Sequence, residues 1–247
     1  MGDKIKVSVN HLTKKFGDLL VLDDVSFEVM DGDLLCVVGP TGCGKTTFLN
    51  SLVNIYQVTS GEILLDGKQV DTKKQNIAYI FQGDSTMPWL TVEENVQFGL
   101  NLKKIPSGEK KERVEKYLDI VGLTKYRKFY PKQLSASMLQ RVSIARAFAT
   151  EPELLLMDEP YGQLDIELRF KLEDELVRLW EMTRTTVIFI THNIEEAVYL
   201  GNKIMVLTNK PTTVKQTIMN DLPRPRDIAS RKFVELRNQV TELIRWW

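Results

Sequence analysis

The sequence predicts an α/β fold: a largely parallel sheet core, a small antiparallel β subdomain and an inserted α-helical subdomain. Three observations carry this reading. The stretch Gly39-Pro40-Thr41-Gly42-Cys43-Gly44-Lys45-Thr46-Thr47 stands between a five-residue apolar run and the start of a helix, and it fits the phosphate-cradling pattern G-x-x-x-x-G-K-[ST]. Short apolar runs then alternate with stretches of helical period, as strands do when crossover helices join them. From Thr91 to about Leu123 the strand signal disappears and helical spacing takes over. The division expected is a P-loop nucleotide-hydrolase core with its β subdomain at 1–87 and 151–220, a helical subdomain at 88–150 and a helical tail at 221–247.

Taken in order, Ile5–Val9 and Val25–Val29 alternate apolar with polar residues, as in strands with one buried face. Between them Lys15-Phe16-Gly17-Asp18 reads as a turn. Leu34–Val38 is short, apolar and bounded by glycines, which marks a buried strand, and Thr46–Leu52 opens a helix. Ser60–Leu65 is a strand closed by the Asp66-Gly67 turn. Ile77–Phe81 is a strand that ends on Gln82. Thr91-Val92-Glu93-Glu94 fits a capping box, and Glu109–Leu118 keeps helical spacing. Another helix spans about Ser135–Ala149. Leu154–Met157 is a buried strand running into Asp158-Glu159-Pro160, and Glu167–Trp180 is amphipathic. Thr186–Ile190 is a further buried strand, ending on Thr191-His192. After a proline-rich link, Phe233, Leu236, Val240, Leu243 and Ile244 follow a helical stripe, and Trp246 and Trp247 close the chain as core or interface aromatics.

Composition narrows the partners. Lysine plus arginine (33) equal aspartate plus glutamate (33), so no global basic field argues for nucleic acid. Two cysteines, Cys36 and Cys43, are too few and too close for a disulfide framework and suit a reducing compartment. No run approaches eighteen apolar residues and the amino terminus lacks a signal-peptide segment, so the chain is expected to be soluble by itself while able to dock on a membrane protein.

In an open parallel sheet, ligands collect at the carboxyl ends of the strands. Gly39, Gln82, Asp158 and His192 all fall at such ends. Backbone N–H groups of the glycine-rich loop and the positive end of its helix would face a polyphosphate, with Lys45 on the β and γ phosphates and the Thr46 hydroxyl on Mg²⁺. Asp158 suits Mg²⁺, and Glu159 suits polarising an attacking water. His192 could hold the γ phosphate and the water in line with Glu159, and Gln82 is a natural ligand for Mg²⁺ and water. Phe16 either packs in its loop or stacks on an adenine.

These motifs in this order resemble the ATP-binding subunit of an ATP-binding-cassette transporter, over Lys4 to about Leu207. Gln82 matches the family's Q-loop glutamine and Leu134-Ser135-Ala136-Ser137-Met138 its signature. Leu154–Glu159 matches the second nucleotide motif, Leu164-Asp165 the end of the D-loop and His192 the switch histidine. The resemblance implies ATP and Mg²⁺ as cofactors, with Lys45, Gln82, Glu159 and His192 catalytic. It implies nucleotide contacts from Phe16, residues 39–47, Ser135 and Ser137, and metal contacts from Thr46, Gln82 and Asp158. It further implies a second cassette, identical or different, paired head to tail so that ATP lies between one phosphate loop and the other signature. Integral-membrane permease subunits and, indirectly, an extracytoplasmic solute-binding protein would complete the assembly at the cytoplasmic face of the cell membrane. Trp89 is read either as a permease contact or as a lobe-packing aromatic. Glu195–Leu200 and Leu222-Pro223-Arg224-Pro225-Arg226 are similar to the nitrate, sulfonate and taurine importer subgroup.

The sequence departs from the family where two signature glycines are replaced by Ala136 and Ser137. Glycines there let backbone N–H groups approach a phosphate with no Cβ in the way. Ala136 and Ser137 support one alternative to a transport ATPase, a slowly hydrolysing cassette that closes on ATP to regulate a partner. A soluble cassette ATPase acting on DNA or ribosomes is a separate alternative, against which stand the single cassette, the lack of a long coiled-coil insertion and the balanced charge. A GTPase fits less well, because Asn209-Lys210 begins a guanine-reading NKxD motif whose aspartate position holds Thr212.

Overall fold

The computed structural model describes residues 4–162 and 164–244, so Trp246 and Trp247 lie outside the described residues. In chain order the first segment gives β1 (Ile5–Phe16), β2 (Leu19–Met30), β3 (Leu34–Val38), α1 (Lys45–Leu52), β4 (Ser60–Leu65) and β5 (Lys68–Gln69). The middle gives β6 (Ile77–Ile80), α2 (Val92–Leu102), α3 (Ser107–Ile120), α4 (Ala136–Ala149), β7 (Leu154–Asp158) and α5 (Ile166–Thr183). The last part gives β8 (Thr186–Ile190), α6 (Ile194–Leu200), β9 (Lys203–Leu207), β10 (Val214–Met219) and α7 (Arg231–Ile244). These elements form two compact units, one ending at residue 75 and resuming at 184, the other comprising 76–183.

The first unit holds two sheets. In the antiparallel one the order is β2-β1-β4-β5. Its first hairpin is much longer than the alternation at 5–9 and 25–29 suggests. The period-two pattern is interrupted by register shifts near Leu12, with His11 and Asp24 both at positive φ. Phe16 is accordingly the last residue of β1 rather than part of a wider turn. The Asp66-Gly67 turn has both residues at positive φ, 51° and 73°, as a tight hairpin joining β4 to β5 requires. In the second sheet β3 lies between β8 and β9 and runs parallel to both, while β10 adds antiparallel to β9. All five residues of β3 and of β8 are buried, which is why each reads as an unbroken apolar run rather than an alternating one. Strands β9 and β10 are not anticipated from the sequence. Helix α7 turns Phe233 and Val240 inward.

The second unit joins a parallel pair, β6 and β7, to the helices. The expected capping box starts α2: Thr91 N–H donates to Glu94 Oε2 at 2.8 Å, and Glu94 N–H donates to Thr91 Oγ1 at 3.3 Å. Helices α2, α3 and α4 bury Val96, Leu100, Leu118 and Val142, and Tyr117 stacks on Phe148 at 6.4 Å. Among the described residues no helix is long and apolar enough to cross a membrane.

Candidate nucleotide-binding site

In the first unit, β3 delivers the chain into the glycine-rich loop and α1 takes it away. The residue before α1, Gly44, has φ 111°, and a Cβ there would lie 2.8 Å from Val21 Cγ1. Only glycine meets both conditions. The loop is braced from outside, because Thr212, fully buried, donates its hydroxyl to the Cys43 carbonyl and its N–H to the Val21 carbonyl at 2.9 Å. Sequence reasoning missed this role; Thr212 drew notice only as the residue that spoils a guanine-reading motif. Lys45 is 6% exposed, and its ammonium donates to the carbonyls of Gly39 (3.0 Å) and Pro40 (3.1 Å). Its charge therefore sits inside the loop, where the first N–H groups of α1 also point. Thr46, the next residue of the same helix start, is exposed. Burial pushes the Cys43 thiol above its ordinary value, with Lys45 pulling the other way.

The parallel pairing of β3 with β8 fixes His192. Val37 pairs with Ile190, and the Thr191 N–H donates to the Val37 carbonyl at 3.1 Å. His192 thus emerges on the strand next to the phosphate loop, at the same edge. Asn193 then caps α6, accepting from the N–H groups of Glu195 (3.0 Å) and Glu196 (3.3 Å). Phe16 is 43% exposed, edge-on to Tyr56 at 5.4 Å with the Lys14 ammonium 4.4 Å from its ring centroid.

In the second unit the parallel pairing of β6 with β7, Ile80 opposite Met157, brings the two carboxylates and Gln82 together. Asp158 is 4% exposed and accepts from the Tyr79 hydroxyl at 3.4 Å. Glu159 has φ 43°, a left-handed conformation that a glutamate adopts at a cost of about 1–3 kcal/mol. Gln82 Nε2 donates to the Glu159 Oε2 at 3.3 Å. That bond leaves the Gln82 carbonyl oxygen as an acceptor or ligand. Asp165 accepts from Leu168 N–H at 3.0 Å at the start of α5.

The signature forms the start of α4. Ser135 is the N-cap, its Oγ accepting from Met138 N–H at 3.4 Å, and the Ser137 hydroxyl lies 3.3 Å from it. Ala136 is exposed and Ser137 buried, and neither has positive φ. Behind them Arg141 pairs with Glu175 at 2.7 Å; burial raises the Glu175 carboxyl and Arg141 pulls it back.

Thr46 in the first unit, and separately Asp158 and Gln82 in the second, carry oxygen atoms of the kind a hard divalent cation takes. No cluster of three or more His, Cys, Asp or Glu suited to a metal occurs among the described residues. Mg²⁺ requires no such cluster, because it keeps several waters and binds through substrate phosphates with one or two protein oxygens.

The family model described as ABC transporter matches residues 22–162. An uncharacterized ABC transporter ATP-binding protein of Methanocaldococcus jannaschii is 42% identical over 246 residues, covering 98% of this chain and 92% of the relative. An aliphatic sulfonates import ATP-binding protein of Bacillus cereus is 40% identical over 240 residues, covering 96% and 94%. Among solved structures, cbiO1 of Clostridium perfringens, part of the ABC transporter complex cbiONQ, matches with a TM-score of 0.82 at 23% identity over 98% of both chains. A dimeric ATP-binding cassette in a post-hydrolysis state, bound to ADP and Pi, matches with a TM-score of 0.75 at 30% identity, covering 86% of this chain and 98% of the other.

Proposed function

Because the chain belongs to the ABC transporter family, as an ATP-binding subunit with the family's ATPase fold, we propose that it energises import of a small anion such as a sulfonate, taurine or nitrate. The observation that carries the solute class is the 40% identity, over nearly the whole length of both chains, to the aliphatic sulfonates import protein. In this reading the chain sits at the cytoplasmic face of the membrane. It is held there by permease subunits and paired with a second cassette.

The phosphate loop binds the polyphosphate through backbone N–H groups and Lys45, and Phe16 stacks on the base. Thr46, Asp158 and Gln82 are the residues that would hold Mg²⁺, which would supply neutralisation of charge on the phosphates. Glu159 orients the water and takes its proton, and the Gln82 amide keeps the Glu159 carboxylate aimed. His192 bonds the γ phosphate from the neighbouring strand end. Ser135 and Ser137 at the start of α4 serve the ATP of the partner cassette.

The test is uptake of radiolabelled alkanesulfonate, taurine and nitrate by cells with and without this chain, beside phosphate release by the purified protein with Mg-ATP. Loss of uptake of one of the three is expected. Unchanged uptake of all three, with phosphate release intact, would keep the ATPase and overturn the solute class.

A further inference from the structure

The link Leu222-Pro223-Arg224-Pro225-Arg226 has no part in the chemistry above, yet its guanidinium groups are built into the fold. Arg226 is 7% exposed, and burial pulls it down to about 10, so it remains charged at neutral pH. Among the described residues its hydrogen-bond partners are backbone carbonyls. Nη1 donates to Val198 (2.9 Å), Tyr199 (2.8 Å) and Gly201 (2.7 Å), Nη2 to Asn220 (3.2 Å) and Nε to Leu222 (3.4 Å). Arg224 donates to the carbonyls of Tyr199, at 3.4 Å, and Leu200. Asn220 Nδ2 adds bonds of 2.8 Å to Val198 and Gly201.

Four of these acceptors, the carbonyls of Val198, Tyr199, Leu200 and Gly201, form the end of α6. A helix leaves its last four carbonyls without partners in the helix. Here the Ala197 carbonyl takes the Gly201 N–H at 2.9 Å, and those of Val198, Tyr199 and Leu200 are all taken by Arg224, Arg226 and Asn220. Two cations at the negative end of a helix also favour its dipole. The other end of α6 is tied just as closely. Asn193 caps it, and the Asn193 N–H donates to Thr191 Oγ1 at 2.9 Å, so the backbone is held on both sides of His192, which is itself exposed. With only seven residues, Ile194–Leu200, α6 is a lever about 10 Å long between His192 and the arginine clamp.

We infer that Arg226, assisted by Arg224 and Asn220, is a positioning residue for His192: by fixing α6 along its axis, the clamp sets where the imidazole stands relative to the phosphate loop. The inference rests on the proposed role of His192 at the γ phosphate. Arg226→Lys keeps the charge and loses the planar fork, so it releases several carbonyls without removing the cation.

The experiment measures phosphate release, as kcat and KM for Mg-ATP, together with the thermal midpoint, for Arg226→Lys and Arg224→Ala, each with His192 present and with His192→Ala. Misplacement of about an ångström away from the chemistry can cost as much as about 10²-fold, so Arg226→Lys is expected to lower kcat by roughly 10- to 100-fold. KM should stay within about twofold, because nucleotide binding rests on the phosphate loop. In the His192→Ala background the same substitution should change kcat by less than about twofold, since residues acting as a unit are not additive. Arg224→Ala should give a smaller loss with the same non-additivity, and it carries the comparison if Arg226→Lys fails to fold. An unchanged kcat, or losses that multiply with that of His192→Ala, would overturn the inference. If His192→Ala itself left kcat intact, the proposed role of His192 would fall, and the clamp would lose its function with it.

Discussion

Glu159 shows how a sequence can suggest a role for a residue and leave its geometry unread. An acidic pair after a buried strand reads directly as the metal and water end of a nucleotide site. Nothing in the residues announces the left-handed φ of 43° at Glu159, which arises where the chain must leave β7 sharply before Pro160. The strain carries a function in this reading: it brings the carboxylate to the Gln82 amide at 3.3 Å while Asp158 stays buried beneath. Glu159→Gln is isosteric and keeps a hydrogen-bonding partner for Gln82, but it cannot accept the water's proton. Phosphate release with Mg-ATP should fall by about 10²–10⁴-fold, the range expected for loss of a general base. Nucleotide affinity, measured by equilibrium binding, should be retained because it rests on the phosphate loop. A variant that turned over at the parent rate would remove Glu159 from the mechanism.

At the scale of the element, α2 shows charge fixing a helix start. Glu93 in its first turn is held down to about 2, mainly by hydrogen bonding from Arg127 and further by Lys128, with burial opposing. The contacts are 2.6 Å from Arg127 and 2.8 Å from Lys128. The folded value lies below the ordinary 4.5, so the stabilisation is complete above about pH 4.5 and lost as pH falls towards 2. Both cations are partly exposed, and solvent screening limits the pair to about 1 kcal/mol. The difference in urea midpoint between the parent and Glu93→Gln should therefore shrink between about pH 5 and 2.5; a constant difference would assign the effect to packing rather than charge. The capping box of this helix was legible because Thr91 and Glu94 interact within four residues. Strand β9 was not, although Ile204–Leu207 is a short apolar run, because its place depends on pairing with β3, more than 160 residues away in sequence. The β1–β2 hairpin was half legible: alternation showed where the chain is regular, and the bulge near His11 concealed the rest.

For the molecule as a whole, the sequence leaves open whether a cassette with Ala136 and Ser137 in its signature turns over freely. Backbone answers part of it. Both residues belong to the first turn of α4, Ala136 is exposed, and neither stands at a positive φ that would demand glycine. The N–H groups of the first turn are kept, and losing one such donor to a phosphate would cost about 2.7–4 kcal/mol, or roughly 10²–10³ in rate. Ser137 also places a hydroxyl 3.3 Å from that of Ser135, adding a polar group where glycine has none. Steady-state phosphate release by the parent should therefore lie within about tenfold of a variant carrying both Ala136→Gly and Ser137→Gly, with the two forming an ATP-dependent dimer alike by light scattering. A parent rate 10²-fold or more below that of the glycine variant would mean that the Cβ atoms hold the opposing phosphate away from α4. The chain would then need a partner cassette with an intact signature, and the slowly hydrolysing, ATP-gated form of the subunit would replace the freely cycling one.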